Sequence, residues 1–146
     1  MGSTAAPIDK SVLETIYQRA ETHPLTQSIQ SDRTGRTLTQ VTVLFDTDQY
    51  PENIQAARIE IQWYRNGDYN FHYIETHSTG DDWQCRWDRH PNPHTTRTHF
   101  HPPPTACSND AVPDSPSDCH PSTMFARALA SIRTRIEDLW SEQRND

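Results

Sequence analysis

One hairpin restricts the fold of this chain more than any other feature of its sequence. The segments at 57–65 (ARIEIQWYR) and 68–76 (DYNFHYIET) both alternate apolar and polar residues, and Asn66-Gly67 separates them. Asn-Gly is the dipeptide most typical of a two-residue hairpin turn, because both positions need a positive φ. The sequence therefore predicts an antiparallel pair of strands at the centre of the fold.

The turn length predicts which face of the sheet is buried. A two-residue turn sets Ile61 opposite His72, and a second even-length turn at Thr79-Gly80 keeps the same faces in the next strand. The predicted core face holds Ile59, Ile61, Trp63, His72, Ile74, Trp83, Cys85 and Trp87. The predicted outer face holds Arg58, Glu60, Tyr64, Tyr69, Phe71, Tyr73, Glu75, Arg86 and Asp88. This outer face could stack on bases or bind a partner protein, and a covering by the N-terminal helix is the alternative.

Helical patterns bracket the strands. Apolar residues recur at helical spacing over 8–22 and again over 125–140, and TLTQVTVLF at 37–45 and DDWQCRWD at 81–88 add strands to the hairpin. The predicted fold class is α+β. We expect a four- to five-stranded antiparallel meander sheet, with an N-terminal helix and a C-terminal helix packed on one face.

Length and charge limit the class of the protein. We expect one domain over 1–146 with a mobile proline-rich insert at 102–121. Acidic residues outnumber basic ones by 20 to 13, and Lys10 is the single lysine, which is typical of a halophilic, haloarchaeal protein. In molar salt, with a Debye length of about 3 Å, a net charge of −7 does not exclude an RNA partner. No apolar run is long enough for a membrane span, and the three cysteines fit a cytoplasmic location.

Histidine, arginine and proline concentrate in RWDRHPNPHTTRTHFHPPP, residues 86–104, which holds four His, three Arg and five Pro. The prolines of HPNPH exclude a helical pair of histidines. If the chain then resumes as a strand, Phe100 points into the core and the alternate side chains point the other way: Arg97, His99 and His101. We expect these three side chains to converge on a water-accessible spot beside Arg86 and Asp88.

Two chemistries fit this trio. A His-x-His pair on a strand could bind a metal, with a third ligand from His94, Asp88, His90 or the Cys119-His120 pair. Without a metal, two histidines with a pKa of about 6.5 could exchange protons with RNA while arginines stabilise the phosphorane. The alternative to both is a polar loop in which these side chains only satisfy backbone carbonyls and Asp88.

The segment YNFHYIETHSTGDDWQCRWDRHPNPHTTRTHFHPPP resembles the signature of TumE-type toxins over roughly residues 40–140. In that family a strand hairpin precedes an Arg-aromatic-Asp step, a Pro/His-rich segment, a linker and a C-terminal helix. The matching residues here are Arg86-Trp87-Asp88, Pro93-His94, and His99 with His101. The chain departs from the pattern at Phe100, which separates His99 from His101 where the family tends to have closely packed histidines, and in the insert at 105–120.

The resemblance implies a toxin that a cognate antitoxin protein holds inactive, with RNA as its target. The leading hypothesis is a metal-independent ribonuclease without a cofactor. Its predicted catalytic residues are Arg86 and Arg97 on the phosphate, His99 and His101 in proton exchange, and His94 and Asp88 orienting them. The alternatives are a non-catalytic protein-binding module with a structural His-rich loop, and a small metal-binding protein using His99, His101 and His94. Self-association stays open.

Overall fold

The computed structural model describes residues 6–145, and these form two α-helices, two short 3-10 helices and one antiparallel sheet. The helices are α1 (Lys10–Glu21) and α2 (Pro121–Arg144). The strands are β1 (Thr26–Thr34), β2 (Thr37–Phe45), β3 (Ile54–Trp63), β4 (Tyr69–His77), β5 (Asp82–Arg89), β6 (Thr98–His101) and β7 (Val112–Pro113). The division into a single domain over 1–146 stays a prediction, and residues 1–5 and 146 lie outside the described part.

The sheet is a meander in which each strand pairs with the next, in the order β1 to β7. The α+β class, the antiparallel meander and both helices are confirmed. The strand count is wrong, because the described residues form seven strands and not four or five. β1 is mostly exposed and carries one apolar residue, Ile29, so it has no alternating pattern to detect. β6 and β7 are only four and two residues long.

The predicted register of the central hairpin is wrong by one residue. Ile61 lies opposite Phe71, and not opposite His72. The turn comprises three residues, 65–67, and is closed by the Tyr64 N–H, which donates to the Asp68 carbonyl at 2.8 Å. Gly67 has φ +86°, as the last residue of such a three-residue turn requires. A slip of one residue moves every side chain of the strand to the other face.

This slip exchanges the predicted faces of β4. Tyr69, Phe71, Tyr73 and Glu75 are buried in the core, whereas His72 is only half-buried and contacts the Gln84 side chain at 2.8 Å. The turn into β5 is also three residues long, so a second one-residue error cancels the first. In β5 the predicted core residues therefore do face inward: Trp83, Cys85 and Trp87.

Both helices cover one side of the sheet, which we call the helix face. Each contributes buried apolar residues to the same core as the inward residues of β2 to β5: Leu13, Ile16 and Ala20 from α1, and Met124, Phe125, Ala128, Leu129 and Ile132 from α2. Asp9 caps α1 by accepting from the Val12 N–H at 3.2 Å. Within the described residues, neither helix is long and apolar enough to cross a membrane.

The proline-rich segment 102–121 contacts the rest of the protein at several points. The Gln84 N–H donates to the Pro104 carbonyl at 2.7 Å, and β7 pairs with β6. Asp114 accepts two hydrogen bonds from Arg127 of α2, at 2.6 and 2.8 Å. The segment thus contains a short strand and an ion pair to α2, and its mobility stays a prediction.

Candidate functional site

The pairing of β5 with β6 builds a polar site on the sheet face opposite the helices. Asp88 lies directly across from His99, and Arg86 lies across from His101. Trp87 and Phe100 alternate with these residues and contact each other on the helix face, with ring centroids 5.4 Å apart. The period of two in each strand therefore separates the apolar pair from the polar residues.

One carboxylate oxygen is the centre of this site. Asp88 Oδ2 lies 2.7 Å from Arg86 Nε, 2.9 Å from His101 Nε2, 3.0 Å from His90 Nε2 and 3.7 Å from His99 Nε2. We call Asp88, His90, His99 and His101 the Asp–His cluster. Its candidate ligand atoms all lie within 4.8 Å of one another.

Burial differs sharply among the members of the Asp–His cluster. His99 and His101 have no exposed surface, and Asp88 is 1% exposed. The His90 side chain is 43% exposed, and Arg86 is 25% exposed. His90 is therefore the imidazole of the cluster that an outside molecule can reach.

Backbone carbonyls fix the orientation of the three imidazoles. Nδ1 of His99 contacts the carbonyls of Thr96 and Arg97 at 2.9 and 3.0 Å, and Nδ1 of His90 contacts that of Pro91 at 2.9 Å. Nδ1 of His101 lies 3.4 Å from the Cys107 carbonyl. A carbonyl only accepts, so these contacts suit a proton on Nδ1, and each Nε2 lies on the Asp88 side of its ring.

Two features of the Asp–His cluster are unusual for buried polar groups. Burial, assisted by the Arg86 charge, lowers the pKa of His101 below its ordinary value, so its neutral form is favoured. His99 Nε2 and Asp88 Oδ1 are buried and have no hydrogen-bond partner among the described residues. Buried polar atoms of native proteins are nearly always paired, so these two atoms call for an explanation.

A groove of about 440 Å³ opens beside His90. Its polar and aromatic lining includes Tyr64, Asn66, Asn70, Arg89, His90 and Arg97. Arg97 donates to Asp68 through Nε at 3.0 Å and Nη2 at 2.6 Å, and Arg89 Nε lies 3.9 Å from the same carboxylate. Asp68 thus holds two arginines at the wall of the groove.

The structure brings together four of the six predicted catalytic residues and separates the other two. Arg86, Asp88, His99 and His101 are in contact, whereas Arg97 binds Asp68 instead. His94 is exposed in the loop before β6, where its N–H donates to the Asn92 side chain at 2.7 Å.

The expectation that Arg97, His99 and His101 converge on a water-accessible spot is wrong. β6 begins only at Thr98, so Arg97 belongs to the preceding turn and does not follow the alternation of the strand. The rings of His99 and His101 pack against backbone carbonyls, which removes them from solvent. His94 likewise does not serve as the third histidine of the cluster.

His90 is a member of the site that the sequence pattern offers only as one of several alternatives for a third metal ligand. The spacing by two of Arg86, Asp88 and His90 is a usable signal, because His90 continues the alternation of β5 one residue past its end at Arg89 and contacts Asp88 as Arg86 does. The following Pro91 favours a turn over a continued strand at this position.

Comparison with known proteins gives one result. A family model described as Toxin TumE matches residues 13–143, which is most of the chain. No curated protein and no solved structure matches the chain.

Proposed function

The chain belongs to the TumE toxin family, and on that premise we propose that this toxin of toxin–antitoxin type acts by cleaving RNA. A cognate antitoxin protein would hold it inactive. The observation that carries the proposal is the groove that Arg89 and Arg97 line together with His90, the exposed member of the Asp–His cluster.

Arg97 and Arg89 supply the proposed phosphate contacts. Arg97 uses two of its donors on Asp68, and a guanidinium has five in all, so others are left for a ligand. Asp68 fixes the plane of that guanidinium, which favours two-pronged binding of a phosphate. Tyr64 adds an aromatic surface in the same groove on which a base can stack.

In the proposed reaction, the ribose 2′-oxygen attacks phosphorus and the bond to the 5′-oxygen breaks. The His90–Asp88 pair takes up the 2′-hydroxyl proton and returns a proton to the departing 5′-oxygen, which leaves a cyclic phosphate and a free hydroxyl. Asp88 would orient His90 through the 3.0 Å contact. His99 and His101, which are fully buried, would position Asp88 and not meet the RNA themselves.

A second candidate function rests on the same burial. The imidazoles of His99 and His101 contact backbone carbonyls, as they would in a purely structural loop. The chain would then act as a protein-binding module that forms a stable complex with its antitoxin and cleaves nothing.

Growth and cleavage assays of matched variants test the proposal. We expect His90→Ala to lower cleavage of single-stranded RNA by the purified protein by about 100-fold or more, and to abolish growth arrest at equal protein level. The control is His94→Ala, which alters an exposed histidine of the same loop outside the cluster and should retain activity. Because the halophilic character is also a prediction, cleavage is measured in both low and molar KCl.

Two results would contradict the catalytic proposal. One is a wild-type protein that arrests growth and binds its antitoxin but cleaves no RNA at either salt concentration, which would favour the binding module. The other is equal activity of His90→Ala and His94→Ala.

A further inference from the structure

We propose that Asp88, His90, His99 and His101 bind a divalent transition-metal ion, with Zn²⁺ as the best-fitting ion. Within residues 6–145, these four side chains bring one carboxylate oxygen and three imidazole nitrogens within 4.8 Å of one another. Three imidazoles and one carboxylate form a common donor set for zinc. Metal binding can be measured without RNA, so the inference stands apart from the proposed function.

The spacing of the donors fits one ion. Zinc binds imidazole nitrogen and carboxylate oxygen at about 2.0–2.2 Å, so two donors of a tetrahedral site lie about 3.3 Å apart. Asp88 Oδ2 is 2.9, 3.0 and 3.7 Å from the Nε2 atoms of His101, His90 and His99. Small side-chain movements would therefore complete the coordination.

The surroundings of the imidazoles also resemble those of metal ligands. A histidine that binds a metal commonly donates its other ring N–H to a backbone carbonyl or a carboxylate, which fixes the tautomer. In this cluster the Nδ1 atoms of all three histidines face backbone carbonyls, and the three Nε2 atoms point inward.

The unpartnered atoms point to a ligand independently of the spacing. His99 Nε2 is directed into the cluster, has no hydrogen-bond partner and belongs to a fully buried residue. With its proton on Nδ1, this nitrogen presents a lone pair, and the carboxylate beside it presents the unpartnered Oδ1. A cation interacts favourably with both atoms, whereas leaving them unpaired costs free energy.

Arg86 competes for the same position. Its Nε lies 2.7 Å from Asp88 Oδ2, and its Nη2 lies 3.1 Å from His101 Nε2. Because the Arg86 side chain is 25% exposed, its guanidinium can withdraw toward solvent when an ion enters. This competition predicts that removing the arginine charge strengthens metal binding, which is the opposite of what removing a ligand does.

The choice of ion follows from the donors. Imidazole nitrogen favours zinc, copper, nickel and iron over magnesium and calcium, which prefer oxygen. Since His90 borders the groove, the ion would lie close to a bound phosphate. In the zinc-loaded protein His90 would be a ligand and would not also take up the proton in the reaction proposed above, so RNA cleavage at this site would be metal-assisted.

The test uses full-length protein without an affinity tag, stripped with EDTA and titrated with ZnCl₂ by calorimetry. Co²⁺ absorption spectra report the geometry. We expect one ion per chain and tetrahedral Co²⁺ bands. His90→Ala, at a half-buried position, should weaken affinity by at least about tenfold, whereas Arg86→Met should raise it. His94→Ala and Cys119→Ser should bind as the wild type does.

The proposal is overturned if the stripped wild-type protein binds no zinc, or if His90→Ala and Asp88→Asn bind it as tightly as the wild type. Circular dichroism of each variant separates loss of a ligand from loss of the fold. RNA cleavage without zinc binding would remove this inference alone. Zinc binding without RNA cleavage would remove only the proposed function.

Discussion

Two buried carboxylates, one on each face of the sheet, differ in how their oxygens are hydrogen-bonded. Glu75 is fully buried on the helix face, and both of its oxygens are paired. Oε2 accepts from the Tyr73 hydroxyl at 2.9 Å and from Arg135 Nε at 3.1 Å. Oε1 lies 2.6 Å from Arg135 Nη2 and 2.7 Å from His77 Nε2. Arg135 belongs to α2, so this ion pair ties the helix to the sheet.

Asp88, on the opposite face, is as buried as Glu75 but unevenly paired. All four neighbouring nitrogens approach Oδ2, and Oδ1 has no hydrogen-bond partner. Its neighbours include three imidazoles, which bind metals or transfer protons. A buried carboxylate satisfied on both oxygens by a two-pronged arginine indicates a structural role. A crowded carboxylate with an unpartnered buried oxygen calls for an explanation, and a bound ligand is one.

The largest expected effect follows from breaking the Glu75 pair. Glu75→Gln keeps the shape of the side chain but leaves Arg135, which is 14% exposed, without its counter-charge. We expect the free energy of unfolding to fall by roughly 3–5 kcal/mol, measured by urea denaturation. In the matched control Glu60→Gln, the lost partner is the exposed Arg58, and the change should stay within about 1 kcal/mol.

A loss for Glu75→Gln no larger than that of the control would contradict the structural interpretation of Glu75. The contrast between the two carboxylates would then rest on geometry alone.

The sequence was informative wherever a pattern is local. The alternation of β3, the helical spacing of α1 and α2, and the inward Trp87 all follow from short-range periodicity. The chain order of strands in a meander also needs no long-range information. These features explain why the fold class could be predicted.

The sequence was uninformative where one residue of turn length decides the outcome. Asn66-Gly67 marks the turn but does not state whether two or three residues form it, and this choice exchanged the faces of β4. Glu75 therefore appeared to be an outer-face residue, although it is the charged centre of the core. Its partner Arg135 is 60 positions away, a distance over which no local pattern operates.

The candidate site divides in the same way. Arg86, Asp88, His99 and His101 share a face because β5 and β6 each alternate, and the sequence brought them together correctly. Arg97 was misplaced because the start of β6 could not be located to one residue. Burial of the histidines depends on how the loops fold back, which neither composition nor spacing reveals.

Zinc should distinguish Asp88 from Glu75 through a smaller change in the free energy of unfolding than the one expected for Glu75→Gln. If the Asp–His cluster binds the ion, a zinc concentration 100 times the Kd should raise the free energy of unfolding of the wild type by about 2.7 kcal/mol. Glu75→Gln should gain the same increment from its lower starting point, because Glu75 lies on the other face. Asp88→Asn should gain little, because an amide is a poor substitute for the charged ligand.

Urea denaturation of the three proteins, each with EDTA or with excess ZnCl₂, measures these increments. Equal stabilisation of Asp88→Asn and the wild type would place the ion elsewhere. Asp88 would then differ from Glu75 in its hydrogen bonding but not in metal binding.

The smallest expected effect is a local one, reported by Cys85. This thiol is 5% exposed on the helix face and pairs across the sheet with Tyr73. Burial, assisted by the charge of Glu75, raises the pKa of Cys85 to about 12, so at pH 8 the thiol is both covered and protonated. In a protein with Cys107→Ser and Cys119→Ser, a thiol reagent should therefore react only when the helix face opens.

Glu75→Gln should speed that reaction by at least about tenfold, equivalent to about 1.4 kcal/mol of local stability, because it releases Arg135 and loosens α2 over the sheet. Asp88→Asn should leave the rate of Cys85 labelling close to that of the parent protein with Cys107→Ser and Cys119→Ser, because Asp88 lies on the opposite face of the sheet. Equal acceleration by both substitutions would mean that the two faces open as one unit. In that case the uneven pairing of Asp88 would serve the stability of the whole sheet, and its difference from Glu75 would no longer indicate a site.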